Sequence, residues 1–489
     1  MGAPLYQDFP TFKERIETGL FINNEFVESS DRSTFDLVSP LNNKLLAKVS
    51  SATKGDVDKA VDAAEAAFPA WSALTGKQRA GYLRKLSDRI LAHREHLTNL
   101  EVNAIGKPKS TLEFEFQWTV EFLDTLVAQA EAIYGNVSVN QPGFMNLTYK
   151  QPYGVVAGII PWNLGTPMML WKIGPAVAAG NCIVLKASEK SPLISIEVAK
   201  CIVEAGFPPG VINILQGTGQ SGQYIAEHMK IRKLAFTGST ATGRRVQAAA
   251  ALSNLKVVTL ELGGKSPSII FADADLKSAV ETVALSSLVN LGQVCTSNTR
   301  IYVEESVADQ FLEGLKQAFA VWTSLQGDPN DNNTLISTLA DSIQTMNVNS
   351  LIDVAKTEGK LVVGGEGKGA FVQPTIFKDV ADDAKINTTE VFGPVLVYHT
   401  FKTEEEVLKR ANDTEYGLFS SVFTSNLDRA IRFSRKLESG MVGINSASPL
   451  LHFDVPFGGW KQSGYGKEMG PHWVESWTQT KTVYIKTNL

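Results

Sequence analysis

Cysteine is scarce in this chain: three residues in 489, at positions 182, 201 and 295. So few thiols cannot build a disulfide framework, and the compartment expected is reducing, hence cytoplasmic. Basic blocks are missing too. Lys and Arg number 46 against 51 Asp and Glu, a net charge of −5, which argues against a nucleic-acid surface. Long apolar runs are also lacking. The most apolar region, 154–185, is interrupted by Asn163, Lys172 and several glycines and prolines. It therefore reads as buried strand and helix and not as a membrane span. The opening stretch MGAPLYQDFPTFKERIETG has no basic segment followed by an apolar one, so no secretory signal is expected. No internal repeat or low-complexity segment is visible.

What is present is an ordinary globular composition, 44% hydrophobic and 20% charged, in a chain too long for one core. At ~100–200 residues per domain, two large domains and a smaller element are expected. Residues 53–104 predict two amphipathic helices. Val57, Ala60, Val61, Ala64 and Phe68 share one face of the first, with Thr53 and Asp56 as a capping pair, and Leu83, Leu86, Ile90 and Leu91 share one face of the second. From 154 onward, strand-length apolar runs (GVVAGIIPW, CIVLKAS, VINILQG, KLAFTG, KVVTLEL) alternate with helix-length segments. That pattern predicts a doubly wound parallel sheet covered on both faces, with ligands at the carboxyl ends of its strands. A second α/β set follows residue 263. Two stretches fit neither set: SVNQPGFMNLTYKQ and the C-terminal TQTKTVYIKTNL. Both alternate like edge strands, which favours pairing with another subunit.

Six short stretches carry chemistry, and each has a plainer reading. FTGSTATG, 236–243, ends a strand in Gly238 and Ser239 before a helix, a place that attracts phosphate; an ordinary β–α turn would look the same. In VLKASEK, Lys186 and Glu189 end another strand. A carboxylate there can accept ribose hydroxyls and would repel a 2′-phosphate, favouring NAD over NADP; a solvated charge pair is the alternative. TLELGGKSP places Glu261 at the end of an apolar strand, where a desolvated carboxylate suits a general base; a structural Glu bonded to backbone has equal weight. Cys295 lies in LGQVCTSNTR among Gly292, Gln293, Thr296 and Ser297, which suggests an accessible polar loop, whereas Cys182 and Cys201 read as buried thiols. Asn163 in IIPWNLGTP could donate to an oxyanion or simply form a turn. Glu390 in EVFGPVL could meet a second ribose or, again, belong to a turn. His93 and His96 flank Glu95 without zinc-site spacing, so no metal is expected.

Taken together and in order, PWN, LKASE, FTGST, LELGGKSP, GQVC, EVFGPV and PFGGWKQSGYGKE resemble the aldehyde dehydrogenase superfamily over nearly the whole chain. The resemblance implies an α/β fold in three parts: a Rossmann-like NAD-binding domain from 1–129 and 152–262, a catalytic α/β domain from 263–460, and bridging oligomerisation strands from 130–151 and 474–489. It implies a homodimer or homotetramer acting on a small-molecule aldehyde. It further implies Cys295 as nucleophile, Glu261 as general base, Asn163 with the Cys295 N–H as oxyanion hole, and Lys172 as a support for proton movement. Cofactor contacts are implied at Ile159, Pro161, Trp162, Asn163, Lys186, Ser188, Glu189, Gly219, Phe236, Gly238, Ser239, Leu262, Glu390 and Phe392. The substrate pocket is expected to use Leu164, Met168, Trp171, Thr296, Phe453 and Phe457, with Leu450 and Leu451 in an unusual entrance loop.

Aldehyde oxidation explains why such a family needs a thiol. An aldehyde carbon is electron-poor and gives up hydride reluctantly; thiolate addition makes a tetrahedral oxyanion that can expel it. The thioester left behind stays reactive towards water. Transfer of that acyl group to CoA is a rival chemistry, and a non-enzymatic relative of the fold is a second rival; retention of Cys295, Glu261 and Asn163 argues against both. One departure stands out: Gln479 in WTQTKTV occupies a position that the resemblance gives to a glutamate on the proton exit, which places the relay in doubt.

Overall fold

The computed structural model describes residues 6–8, 15–449 and 452–488. Three sheets dominate it. The first has eight strands in the order Gly464–Tyr465, Val257–Glu261, Lys233–Thr237, Val155–Ile159, Cys182–Lys186, Ile212–Leu215, Leu20–Ile22, Glu25–Val27. The five central strands are parallel. The chain enters at Val155–Ile159, winds outward through the next two strands, then crosses back to lay Lys233–Thr237 on the other side of its starting strand. That reversal opens a crevice at the carboxyl ends, the usual ligand position in such a sheet. All five residues of Val155–Ile159, Cys182–Lys186 and Lys233–Thr237 are buried, as strands covered on both faces must be.

The second sheet has seven strands, ordered Lys360–Val363, Thr375–Lys378, Val395–Phe401, Asn298–Glu304, Ser266–Ile270, Phe419–Phe423, Met441–Ile444. Period-two alternation feeds two cores from the same strands. Ile270, Ile301, Val303 and Phe423 pack on one face, and Ile269, Phe271, Tyr302 and Val422 on the other. The third sheet joins the two stretches that fitted neither α/β set: Thr478–Lys486 pairs antiparallel with Phe144–Pro152, with Val137–Ser138 beyond.

The segment read as two helices contains three, Lys54–Ser72, Gly76–Ala92 and Arg94–Ile105. The Thr53–Asp56 capping box forms as expected. Leu83, Leu86 and Ile90 are buried, but Leu91 is 42% exposed, because it lies one step off their stripe. His93 and His96 turn to separate carboxylates, Glu204 and Glu197; His96 is thus partly buried, not on a solvated face. Among the described residues no helix is long and apolar enough to cross a membrane.

Asn181, fully buried, ties the first sheet to the third. Its side-chain oxygen accepts from Gly154 N at 3.1 Å, and its amide donates to Ala176 O at 3.2 Å and Trp477 O at 2.9 Å. Asn181→Ala strands two buried backbone groups, Gly154 N–H and Trp477 O, while Ala176 O keeps its bond from the residue 181 amide, so a loss of about 2–4 kcal/mol is expected. The check is a lowered chemical or thermal unfolding midpoint; an unchanged midpoint would contradict it.

Candidate active site

The residues expected to hold a cofactor gather at the carboxyl ends of the first sheet. Ile159, Lys186, Thr237 and Glu261 end four neighbouring strands. Pro161, Trp162 and Asn163 follow the first, Ser188 and Glu189 the second. Lys186 is 4% exposed; its ammonium lies 3.5 Å from half-exposed Glu189 and donates to Ala187 O. Ser239 caps helix Thr240–Leu252 by accepting from Thr242 N at 3.3 Å. Phe236 turns inward beneath Gly238, where a Cβ would meet its ring at 2.7 Å. Leu262 packs on Gly243 in the same way. Gly219 opens helix Gly219–Glu227 with empty space where a Cβ would stand. Glu390 and Phe392 arrive from the second sheet. Phe392 meets Trp162 edge-on at 5.4 Å, and Glu390 Oε1 accepts from Gly264 N at 3.0 Å.

Cys295 follows a strained turn. Helix Leu276–Leu288 gives way to Val289–Gly292, in which Asn290 and Leu291 take left-handed φ of 50° and 53°; such backbone is costly for non-glycine residues and concentrates at functional sites. Gln293 holds the turn: its amide donates to Asn290 O at 3.1 Å, and its Oε1 accepts from Ala340 N at 3.0 Å. The accessible polar loop expected here is not what forms. Gln293, Thr296 and Ser297 are each at most 5% exposed and Gly292 is buried; Gln293 serves the turn, Thr296 bonds Ser448, and the Ser297 hydroxyl has no partner among the described residues. Of these residues only Cys295 keeps partial exposure, and it lines a cavity.

Asn163 is bound to this turn from both ends. Its Nδ2 donates to Gln293 O at 3.0 Å, and its backbone oxygen accepts from Asn290 Nδ2 at 3.2 Å and Lys107 Nζ at 2.8 Å. Its second amide hydrogen is left for another acceptor. Glu261 and Glu468 line the same cavity as Cys295. Glu468 pairs with Lys172, which is wholly buried. The sequence reading missed Glu468, whose only signal was a charge placed among glycines in SGYGKEMG. Gln479, which the resemblance placed on a proton exit, lies exposed on Thr478–Lys486, opposite Gln151, while the carboxylate beside Lys172 is Glu468.

Burial governs the charges. Glu261 is 4% exposed and holds no well-formed side-chain bond, although the Gly459 amide favours its ionised form. Burial first, then the Glu468 carboxylate, raise its pKa well above the usual carboxylate range; Lys172 and Lys467 oppose them. Glu390 is pushed up to about 7 by burial, against the Gly264 amide and Lys265. The Cys295 thiol is pushed up to about 12 by burial, then by Glu390 and Glu261.

The cavity measures about 440 Å³. Leu164, Met168, Trp171, Thr296 and Phe457 line it as expected, and Phe114, Trp118, Leu285, Trp322 and Leu335 join them. Helix Lys109–Gln129, which supplies Phe114 and Trp118, carried no motif. Phe453 does not line the cavity; it stands behind, against Trp171 and Phe122. Leu450 and Leu451 lie outside the described residues.

The crevice suits a dinucleotide. Two helices, Gly219–Glu227 and Thr240–Leu252, begin just past the carboxyl ends of strands Ile212–Leu215 and Lys233–Thr237, and a helix N-terminus attracts anions. Thr237 keeps a buried hydroxyl, and Gln216 a buried amide, with no hydrogen-bond partner among the described residues. Such groups are costly unless a ligand or water engages them.

Comparison with known proteins agrees. The family model described as "Aldehyde dehydrogenase family" matches residues 26–483. An aldehyde dehydrogenase of Emericella nidulans is 41% identical, covering 98% of this chain and 97% of its own length. An Escherichia coli protein named NADP/NAD-dependent aldehyde dehydrogenase PuuC is 40% identical over 96% of each chain. The solved indole-3-acetaldehyde dehydrogenase AldA of P. syringae, a mutant in complex with NAD+ and IAA, superposes with a TM-score of 0.94 at 38% identity, covering 97% of each chain.

A thiol near 12 reacts through a small thiolate fraction, and that fraction grows with pH. Alkylation of Cys295 by iodoacetamide in the free protein is expected to rise about tenfold per pH unit from 7 to 9. Mass spectrometry of the labelled peptide checks this, and a plateau near pH 8 would contradict it.

Proposed function

Because the chain belongs to the aldehyde dehydrogenase family, we propose that Cys295 is the nucleophile in oxidation of an aldehyde to its acid, with NAD+ preferred over NADP+. The observation that carries the reading is the convergence of Cys295, Glu261 and Glu468 on one largely apolar cavity, with Asn163 bonded to the Cys295 turn. Reacting as the thiolate, its proton given up to water, the sulfur bonds to the aldehyde carbon, and the carbonyl π pair moves to oxygen. Asn163 Nδ2 and the Cys295 N–H donate to that oxyanion, a type of contact worth ~3–4 kcal/mol per donor. Bound NAD+ supplies the two-electron sink by accepting hydride. A thioester then joins Cys295 to the acyl group. Glu261, basic because it is desolvated, takes a proton from water as the water oxygen bonds to the acyl carbon. The C–S bond breaks, acid leaves, and Glu468 with Lys172 takes up the proton load of Glu261.

Lys186, Glu189, Glu390 and Phe392 would hold the ribose groups, and Ser239 with Gly238 the pyrophosphate. Ile159, Pro161, Trp162, Ser188, Gly219, Phe236 and Leu262 complete the cleft. The Glu189 carboxylate supports NAD, since it would repel a 2′-phosphate. In domain terms, 1–129 and 152–262 bind the cofactor, 263–460 carry the chemistry, and 130–151 with 474–489 bridge subunits of a dimer or tetramer. Exposed Phe144, Met145, Tyr149 and Tyr484 on the three-stranded sheet support that assembly. The three free thiols favour the cytoplasm.

The wall of Phe114, Trp118, Trp171, Trp322 and Phe457 suits a bulky apolar or aromatic aldehyde. NADH formation over a panel of aliphatic, aromatic and charged aldehydes tests this, and a preference for charged substrates would overturn it. Glu261→Gln is expected to keep the pre-steady-state NADH burst while steady turnover falls about 100-fold or more. Loss of the burst with turnover preserved would reverse the assignment. In the unsubstituted protein, acid release should slow as pH falls through the raised Glu261 pKa, because protonation removes the base.

A further inference from the structure

Lys107 has no role in the reaction as described so far, yet its surroundings are unusual. It lies between helices Arg94–Ile105 and Lys109–Gln129, flanked by Gly106 and Pro108. Gly106 ends the first helix at φ 70°, with a Cβ position only 1.9 Å from Thr338 Oγ1, so the turn admits glycine alone. Pro108 caps the next helix. Between them the lysine is driven inward, its side chain 1% exposed. The ammonium donates to Glu115 Oε1 at 2.7 Å, Glu115 Oε2 at 2.9 Å and the backbone oxygen of Asn163 at 2.8 Å. Glu101 stands 3.5 Å away.

Burying one ammonium with two carboxylates costs several kcal/mol per ion before attraction is counted. Burial pushes Glu101 up to about 7, against Lys107. Near neutrality Glu101 is thus partly protonated, and Lys107 with Glu115 remains a nearly balanced pair. A pin between two helices would need only that pair. The bond to Asn163 O is additional, and it reaches the residue whose side chain is already tied to the Cys295 turn. Asn290 joins the same two carbonyls, at Asn163 O and Gln293 O. Asn163 is thereby held by its backbone from one side and by its side chain from the other.

We propose that Lys107, backed by Glu115 and Glu101, is a positioning residue for the oxyanion donor: it fixes the Asn163 backbone so that the side-chain amide stays aimed at the reacting oxygen. The proposal rests on Asn163 being that donor. An oxyanion hole works only if its donors are in place before charge develops, and small displacements cost up to about 100-fold in rate.

The test is a double-mutant cycle read by stopped-flow NADH burst kinetics, with Lys107→Met, Asn163→Ala and the pair. Lys107→Met is expected to slow the burst about 10- to 100-fold, to raise the primary isotope effect from a 1-deuterated aldehyde, and to leave the NAD+ dissociation constant within about twofold. Lys107→Arg should recover part of the burst rate. In the Asn163→Ala background, Lys107→Met should add less than about threefold, because the two act through one donor. Multiplying effects, or an unchanged burst in Lys107→Met, would overturn the role of Lys107. If Asn163→Ala alone left the burst intact, the oxyanion reading itself would be at fault. Should Lys107→Met not fold, Lys107→Met with Glu115→Gln removes the donor and the unpaired charge together, and the same two outcomes decide.

Discussion

The site depends on a place where two sheets come together without side chains. The strand Val257–Glu261 ends the parallel run of the first sheet, and Ser266–Ile270 begins the second only a few residues later. Between them, Gly263 and Gly264 lie against groups that must come close. A Cβ at Gly263 would stand 2.1 Å from Glu390 Oε2, and one at Gly264 2.6 Å from Cys295 O. Neither neighbour is free to retreat. Glu390 is fixed by the Gly264 amide. The Cys295 turn is wedged at Gly292, whose own Cβ position lies 2.3 Å from Gly393 O. The absence of two methyl groups thus brings Glu261, Glu390 and Cys295, from three segments, around one point. Either glycine replaced by alanine would force carboxylate or nucleophile backbone outwards.

That approach also sets the electrostatics. Enclosure takes water away from Glu261, Glu390 and Cys295 at once, and desolvation leads every shift among them. Their negative charges then oppose each other at short range in a medium that screens poorly. The balancing cations stand outside the cavity wall: Lys172 against Glu468, and Lys467 anchored to Gly458 O at 2.6 Å. A thiol held near 12 is protected from stray oxidants and alkylators in the free protein. Positive charge entering the crevice, or a proton placed on Glu390 or Glu261, would remove part of what raises that thiol and so favour its thiolate.

Much of this could be read from residue order, and the failures share a cause. Strands buried on both faces announce themselves as continuous apolar runs, so the five parallel strands of the first sheet were visible. The glycines of LELGG and the strand-end glutamate were equally visible. Contacts made across long sequence separations were not. Glu468 meets Lys172 over 296 residues, and nothing local to either residue announces the other. Lys107 reads as a lysine between a glycine and a proline, the composition of a surface turn; burial and the Asn163 carbonyl, 56 residues on, give it another meaning. Gln479 was tied to the site by resemblance alone, and the fold sets it on an exposed strand opposite Gln151. The polar loop around Cys295 was misjudged because buried polar side chains, whether bonded as Gln293 and Thr296 are or unpaired as Ser297 is, look in sequence like those facing water. Phe453 was placed one layer too far forward because aromatic residues pack in clusters, and only some of a cluster touches the cavity.

Under the proposed reaction the cavity treats substrate and product differently. An aldehyde carries no charge, and its apolar portion gains by leaving water for a wall of Trp118, Trp171, Trp322 and Phe457. The acid formed there ionises in water near pH 4 to 5. Inside, its carboxylate would lie beside Glu261 and Glu468 with no exposed cation in the lining, since Lys172 is spent on Glu468 and Lys107 on Glu115. Like charges in a poorly screened pocket repel strongly. Hydrolysis therefore turns a ligand the cavity holds into one it expels, and the same buried carboxylates that make Glu261 basic supply the force that clears the site.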